Sequence, residues 1–191
     1  MCSIVGKPGD IRCSGGHSDV AASARSAGAP QADRDSEAGT AMARSFIEYR
    51  ERGFWSVDAY VQIWLHLMWL EAGAYPEAPG WLAEARDYWR LQATDDAYGA
   101  WRGARLDEYV GDDPDRMAVV LNLVERVNRR VSSFGPAVPD EVLAPCGYAG
   151  SSGLINSSAI AMCGDAVAGL LKGEIGWDAA GSPVLGNLGW G

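Results

Sequence analysis

Three polar residues at helical spacing are the first candidates for chemistry in this 191-residue chain. Asp58, Gln62 and His66 recur at every fourth position of the segment 57–72, where nearly every other residue is apolar. On a helix this spacing aligns the three side chains in one narrow row, which we call the polar row. A helix that is apolar on all sides is normally central, so the row either reaches solvent or needs buried partners. The row is therefore either a recognition or catalytic strip, with His66 titrating near neutrality, or the thin solvated edge of a core helix.

A cluster of acidic residues precedes and begins the fourth predicted helix. It is opposed by Arg102, Arg105 and Arg116, so it favours a negative patch suited to a basic protein partner, with a merely solvated loop as the alternative. The segment GDDPDR lacks the ligand spacing of a calcium-binding loop. Trp101 lies in the same polar stretch and is the tryptophan that we expect to be exposed. The acidic residues are Asp95, Asp96, Asp107, Glu108, Asp112, Asp113 and Asp115. Of these, the predicted contact residues are Asp107, Glu108, Asp112 and Asp115.

Catalytic and metal-binding motifs are scarce. The start MCSIVG resembles the MCGIVG start of class II glutamine amidotransferases, which would make Cys2 the nucleophile, but Ser3 departs from it and the later RHRG and NGEIYN segments are absent. The run AGSSG resembles a nucleophile elbow, but no histidine follows His66. Cys2, Cys13 and His17 contain no tight ligand pair, and neither a P-loop nor a dinucleotide fingerprint occurs. We therefore predict no metal and no cofactor.

Composition excludes several classes of protein. With 48% hydrophobic and 21% charged residues the chain is typical of a globular domain. Its net charge of −9 argues against nucleic acid and anionic membranes as partners. The most apolar window, 57–70, is too short and too polar to span a bilayer, and the N-terminus lacks the apolar core of a signal peptide. Four cysteines without a CxxC pair indicate free thiols in a cytoplasmic protein.

Apolar spacing predicts helices along most of the chain. The first runs from about residue 37 through Phe46 and Tyr49 to Gly53, and the second covers 57–72 with Ser56 as its N-cap. Further helices are predicted at 80–94, from Pro114 to Gly135, at 139–144 as a short turn, and at 157–172. No run shows sustained alternation, so we expect an all-α fold, an irregular bundle of four to five helices with flexible N- and C-terminal segments. Residues 1–40 are predicted to be a disordered leader, 41–175 a single helical domain and 176–191 a Gly-rich tail.

The helical region is similar to a known class of bacterial protein. The segments GFWSVDAYVQIWLHLMWLEAG, PGWLAEARDYWRLQATDD, RVNRRVSSFG and AVAGLLKGEI resemble small, acidic, tryptophan-rich helical immunity proteins of polymorphic-toxin systems over about residues 40–175. The resemblance implies a stoichiometric binder that blocks a cognate toxin and performs no reaction.

Two functions follow from the sequence, and a purely structural domain without chemistry is left open as a third alternative. The first is a protein-binding module, with this immunity class as its specific form, that uses the acidic residues and Trp101, with the polar row as its second surface. The alternative is a small helical enzyme or ligand-binding protein with a pocket between helices. In that protein His66 would be the general acid and base, oriented by Gln62 or Asp58.

Overall fold

Helix α1 (Asp58–Gly73) is the centre of a mostly helical fold. The computed structural model describes residues 43–94, 102–178 and 180–186, and six α-helices occur among them. Helix α1 packs against α2, α4 and α6, and α4 packs against α6. The remaining helices are α2 (Gly80–Ala93), α3 (Leu106–Tyr109), α4 (Pro114–Ser132), α5 (Asp140–Leu143) and α6 (Ser157–Lys172).

Local sequence accounts for the start of α4. The carboxylate of Asp113 accepts the N–H groups of Asp115 (2.9 Å) and Arg116 (3.2 Å), and Pro114 is the first residue of α4. The predicted helices at 80–94, 114–135, 139–144 and 157–172 are confirmed within a few residues. The predicted N-cap Ser56 is wrong, because Val57 is the N-cap of α1 and makes no side-chain cap bond.

The region predicted as the first helix is instead a β-hairpin, so the purely all-α class is wrong. Strand β1 (Arg44–Tyr49) pairs antiparallel with β2 (Arg52–Val57), with Tyr49 opposite Arg52. Both turn residues, Arg50 and Glu51, have positive φ angles of 51° and 64°, as the two-residue turn of a tight hairpin requires. Gly53 belongs to β2, where a Cβ atom would meet the ring of Phe46 and the carbonyl of Ile47. It therefore ends no helix.

A short third strand completes the sheet. Strand β3 (Val184–Leu185) pairs parallel with β2, so the order is β1–β2–β3. Its Leu185 is buried, and Ser182 just before it donates a hydrogen bond to the carbonyl of Gly53 (2.6 Å). Part of the segment predicted as a flexible Gly-rich tail therefore has a defined place in the sheet. The predicted leader, 1–40, lies outside the described residues.

The core surrounds α1 on every side. Its Val61, Ile63, Trp64, Leu65 and Leu67 are all completely buried. Such burial contributes about 1.5–3 kcal/mol for each large aliphatic side chain. Among the described residues, no helix combines the length and the apolar character that crossing a membrane requires.

An ion-pair network fixes the end of α1 to α4. Glu71 has a side chain only 14% exposed, and its two oxygens accept Arg126 at 2.8 Å and Arg130 at 3.3 Å. Because the carboxylate is largely shielded from water, the loss of its arginine partners would cost more stability than the loss of an ordinary surface pair.

Candidate binding groove along strand β1

A groove of about 440 Å³ lies between β1 and the loop that leads into α3. We call it the β1 groove. One side is formed by Phe46 and Glu48 of β1, and Tyr88 of α2 also lines it. The opposite wall consists of residues 102–108, which include Asp107 and Glu108 of the predicted acidic patch.

The loop wall is held in place by buried polar groups. The hydroxyl of Ser45 donates to Asp58 (2.5 Å) and accepts the N–H of Arg102 (3.1 Å). The side-chain oxygen of Gln92 accepts the N–H of Gly103 at 3.2 Å, and the main-chain carbonyl of Gln92 accepts the guanidinium of Arg102. The indole of the buried Trp89 donates to the carbonyl of Ala104 at 3.1 Å. The wall is therefore fixed at three successive residues, 102–104.

The next arginine of the wall is also engaged. Arg105 has its guanidinium over the ring of Tyr88, 4.4 Å from the centroid, and pairs with Glu108 at 3.1 Å. It adopts a left-handed backbone with a φ of 48° at the start of α3. A cation already held by an aromatic face and a carboxylate is a poor anchor for an acidic ligand.

The hairpin turn meets the acidic residues at one end of the groove. The N–H of Arg50 donates to Asp107 at 3.0 Å, and its guanidinium pairs with Asp112. Because the carboxylate of Asp112 is 94% exposed, this pair contributes little to stability. Tyr49 donates its hydroxyl to the carbonyl of Gly111 at 2.7 Å, and burial, more than the charges around it, raises its pKa.

Some carboxylates of this region keep no cationic partner. Within the described ranges, Glu48 and Asp115 form no ion pair, and Asp107 accepts the Arg50 N–H with one oxygen only. Glu48 and Asp107 both line the groove. Of the predicted contact residues, the structure therefore brings Asp107 and Glu108 to the groove and Asp112 beside it. Asp115 lies in the first turn of α4, and Trp101 lies outside the described residues.

The three residues of the polar row do not line the β1 groove. Gln62 is completely buried, donates to the carbonyls of Ala93 and Cys146 at 3.0 Å each, and accepts the hydroxyl of Tyr148 at 2.8 Å. Asp58 contributes indirectly, because it accepts the Ser45 hydroxyl that holds the loop wall. The side chains of both residues bond to these groups and not to the imidazole of His66.

His66 lies in the core, 6% exposed, with its ring 5.3 Å from that of Trp69. Burial, and to a smaller extent the charge of Arg130, lowers the pKa of His66. This shift favours the neutral form of the imidazole. It is not among the residues that line the β1 groove.

A second groove, of about 570 Å³, lies between α4 and α6. Asn128 donates to Asp165 at 2.7 Å, and its side-chain oxygen is buried with no hydrogen-bond partner in the described part of the chain. A Cβ atom on Gly164 would collide with that oxygen, so this glycine allows α4 and α6 to approach.

Several groove residues could not be found from the sequence. The helical prediction for the region of Phe46 and Glu48 hides their common position on one strand. Arg50 has no visible connection with the acidic residues, because only the hairpin turn brings it to Asp107 and Asp112. Tyr88 follows the helical spacing of α2 and carries no motif that distinguishes it from a core residue.

Comparison with known proteins adds no relative. No protein-family model matches the chain, and neither a curated protein nor a solved structure is similar to it. The function is therefore inferred from the geometry of the described residues.

Proposed function

We propose that this chain is a protein-binding module that takes a basic protein partner at the β1 groove. The observation that carries the proposal is the division of charges there. One nitrogen of Arg102 donates to the main-chain carbonyl of Gln92, and the guanidinium of Arg105 is held by Tyr88 and Glu108. Within the described residues, in contrast, Glu48 and the second oxygen of Asp107 have no cationic partner. Open acceptors beside engaged cations favour lysine and arginine side chains.

The rigidity of the groove supports binding over a merely solvated loop. The wall at 102–104 is fixed by Ser45, Gln92 and Trp89, all buried. A surface that is already ordered loses less conformational entropy when a partner binds.

The net charge supports the same class of partner. At −9 the chain attracts basic proteins over a distance of about one Debye length, roughly 8–10 Å at physiological ionic strength. Attraction of this kind raises the association rate and is weakened by salt. An immunity protein that blocks a basic toxin in the cytoplasm is the specific form of the proposal, and its support is the resemblance given above.

The test is affinity capture with charge-neutralised variants. The wild-type chain is expected to retain a basic protein from lysate of its native host at low salt and to release it at moderate salt. The double variant Glu48→Gln/Asp107→Asn should release it at lower salt. The amide oxygen that this variant introduces still accepts the N–H of Arg50, so the hairpin turn keeps its contact with α3.

The matched control is Glu84→Gln/Glu141→Gln, which removes two exposed charges elsewhere. Because both double variants change the net charge equally, only a local role of the groove predicts a difference between them. Equal retention by all three chains, or equal loss in both variants, would contradict the proposal.

A further inference from the structure

Strand β1 carries main-chain groups that point away from its neighbour. Tyr49 and Arg52 close the two-residue turn, so β1 uses the N–H and C=O groups of residues 45, 47 and 49 to pair with β2. The bond from the Asp58 N–H to the Ala43 carbonyl extends the same series. The main-chain groups of Phe46 and Glu48 therefore point outward, and among the described residues neither has a backbone partner.

The opposite edge of β2 confirms this assignment. The N–H groups of Gly53 and Trp55 donate to the carbonyls of Trp177 and Pro183, on the side of β3. Residues 53 and 55 lie opposite Glu48 and Phe46 in the hairpin. In an antiparallel ladder, residues opposite each other without mutual bonds point to opposite edges, so Phe46 and Glu48 must face the free edge of β1.

The free edge faces the β1 groove. The N–H of Arg50, two residues after Glu48, also points away from β2 and donates to Asp107 of α3 on the opposite side of the groove. Phe46 and Glu48 both line the groove. A free strand edge beside a preformed groove is a template for a strand from another chain.

We propose that the β1 groove binds an extended segment of the basic partner as an additional strand, paired with Phe46 and Glu48. This inference rests on the proposed function and specifies its mode of binding. The added strand is short, because Asp107 occupies the next outward N–H at Arg50. Strand addition supplies main-chain hydrogen bonds, and the side chains of alternate residues supply specificity.

The side chains of β1 predict the pattern of the segment. Phe46 and Glu48 lie on one face of the strand, where the ring of Phe46 is 5.0 Å from that of Trp55. Directly opposite residues of paired strands interact across the sheet. We therefore expect an apolar residue beside Phe46 and, two positions along, a lysine or arginine beside Glu48.

The first experiment is hydrogen exchange of the free full-length chain by NMR. The amides of Phe46 and Glu48 should exchange rapidly, and the amide of Ile47, which bonds to β2, should exchange slowly. Slow exchange at both outward amides would mean that the edge is already paired, and would overturn the inference.

The second experiment uses an acetylated, amidated hexapeptide of sequence Lys-Thr-Val-Thr-Lys-Thr as the probe. Its addition should shift the amide resonances of Phe46 and Glu48. Two further peptides carry methyl groups on the main-chain nitrogens of alternate residues, one at the odd and one at the even positions. One of them should bind about tenfold more weakly, and the other should bind as well as the unmethylated peptide. The affected set identifies the strand as parallel or antiparallel, and a peptide with glutamate in place of lysine should bind more weakly.

Variants of the chain provide an independent measurement. Glu48→Gln removes the charge and keeps the N–H, whereas Glu48→Pro removes both, at a solvent-facing edge position where proline is tolerated. We expect Glu48→Pro to bind the peptide more weakly than Glu48→Gln, at unchanged thermal stability. If the proline variant fails to fold, the methylated peptides still decide the outcome.

The outcomes separate this inference from the proposed function. Capture of a basic partner that depends on Glu48 and Asp107, together with no effect of methylation or no peptide binding, overturns strand addition and leaves the protein-binding function intact. If the glutamate peptide binds as tightly as the lysine peptide, the preference for a basic ligand, on which both the proposed function and strand addition depend, is contradicted. Dimerisation of the free chain that Glu48→Pro abolishes would assign the edge to a second copy and overturn the inference.

Discussion

Replacement of Gln62 by leucine tests whether the polar row serves the fold or chemistry. The side chain is completely buried and donates to two carbonyls, of Ala93 and Cys146, at 3.0 Å each. A buried acceptor that loses its donor costs about 1–3 kcal/mol, and leucine recovers about 1 kcal/mol through its apolar atoms. We therefore expect Gln62→Leu to lower the free energy of unfolding by about 3 kcal/mol.

The assay is urea unfolding followed by tryptophan fluorescence, with Tyr148→Phe as the matched control. That variant removes the third bond of Gln62, 2.8 Å long, and should lower the free energy of unfolding by about 0.5–1.5 kcal/mol. The double variant should cost less than the sum of the two, because both changes disrupt one network. A Gln62→Leu chain as stable as the wild type would refute a structural role and return Gln62 to the candidates for chemistry.

Three further predictions concern packing, pH and thiol chemistry. Gly164→Ala should lower the free energy of unfolding by about 1–3 kcal/mol, and with it the melting temperature, because the new Cβ atom collides with Asn128. Gly73→Ala has open space around it and should leave the stability unchanged or raise it slightly. Because the pKa of His66 is lowered, the unfolded chain binds more protons, so stability should fall as the pH drops below 6.5 and level off below the folded-state pKa. His66→Gln should flatten that part of a stability curve measured by urea unfolding, and an unchanged curve would contradict the assignment. Burial raises the pKa of Cys163, so mass spectrometry should find it unlabelled by a thiol reagent in the folded chain and labelled in urea; equally fast labelling without urea would count against its burial.

The helices could be predicted because their boundaries are local. Asp113, Pro114 and Asp115 act within one turn of α4, and the apolar stripe that follows needs no information from elsewhere in the chain. The hairpin could not be predicted, for two physical reasons. Its buried face includes Ser45 and Ser56, which obscure the alternation, and its turn is built from charged residues instead of glycine or asparagine.

The candidate site was only partly predictable for the same reason. Asp107 and Glu108 stand out in the sequence as charges, but Phe46 and Glu48 become a surface only when β1 is a strand. The turn at Arg50 depends on distant residues, since Asp107 and Asp112 hold its N–H and its guanidinium. Contacts over such separations leave no periodic pattern in the sequence.

The position of β3 has a consequence for how the chain folds during synthesis. The residues that line the groove lie between Phe46 and Glu108 in the sequence. The outer edge of β2, in contrast, pairs with residues 182–185, and the bond from Ser182 to Gly53 spans 129 positions. Contacts of such long range form late because a large loop must close first. A growing chain therefore presents two open strand edges, one on each side of the hairpin, until residues 182–185 have been synthesised. Val184 and Leu185 cover the outer edge of β2, and among the described residues the edge of β1 is then the free edge of the sheet.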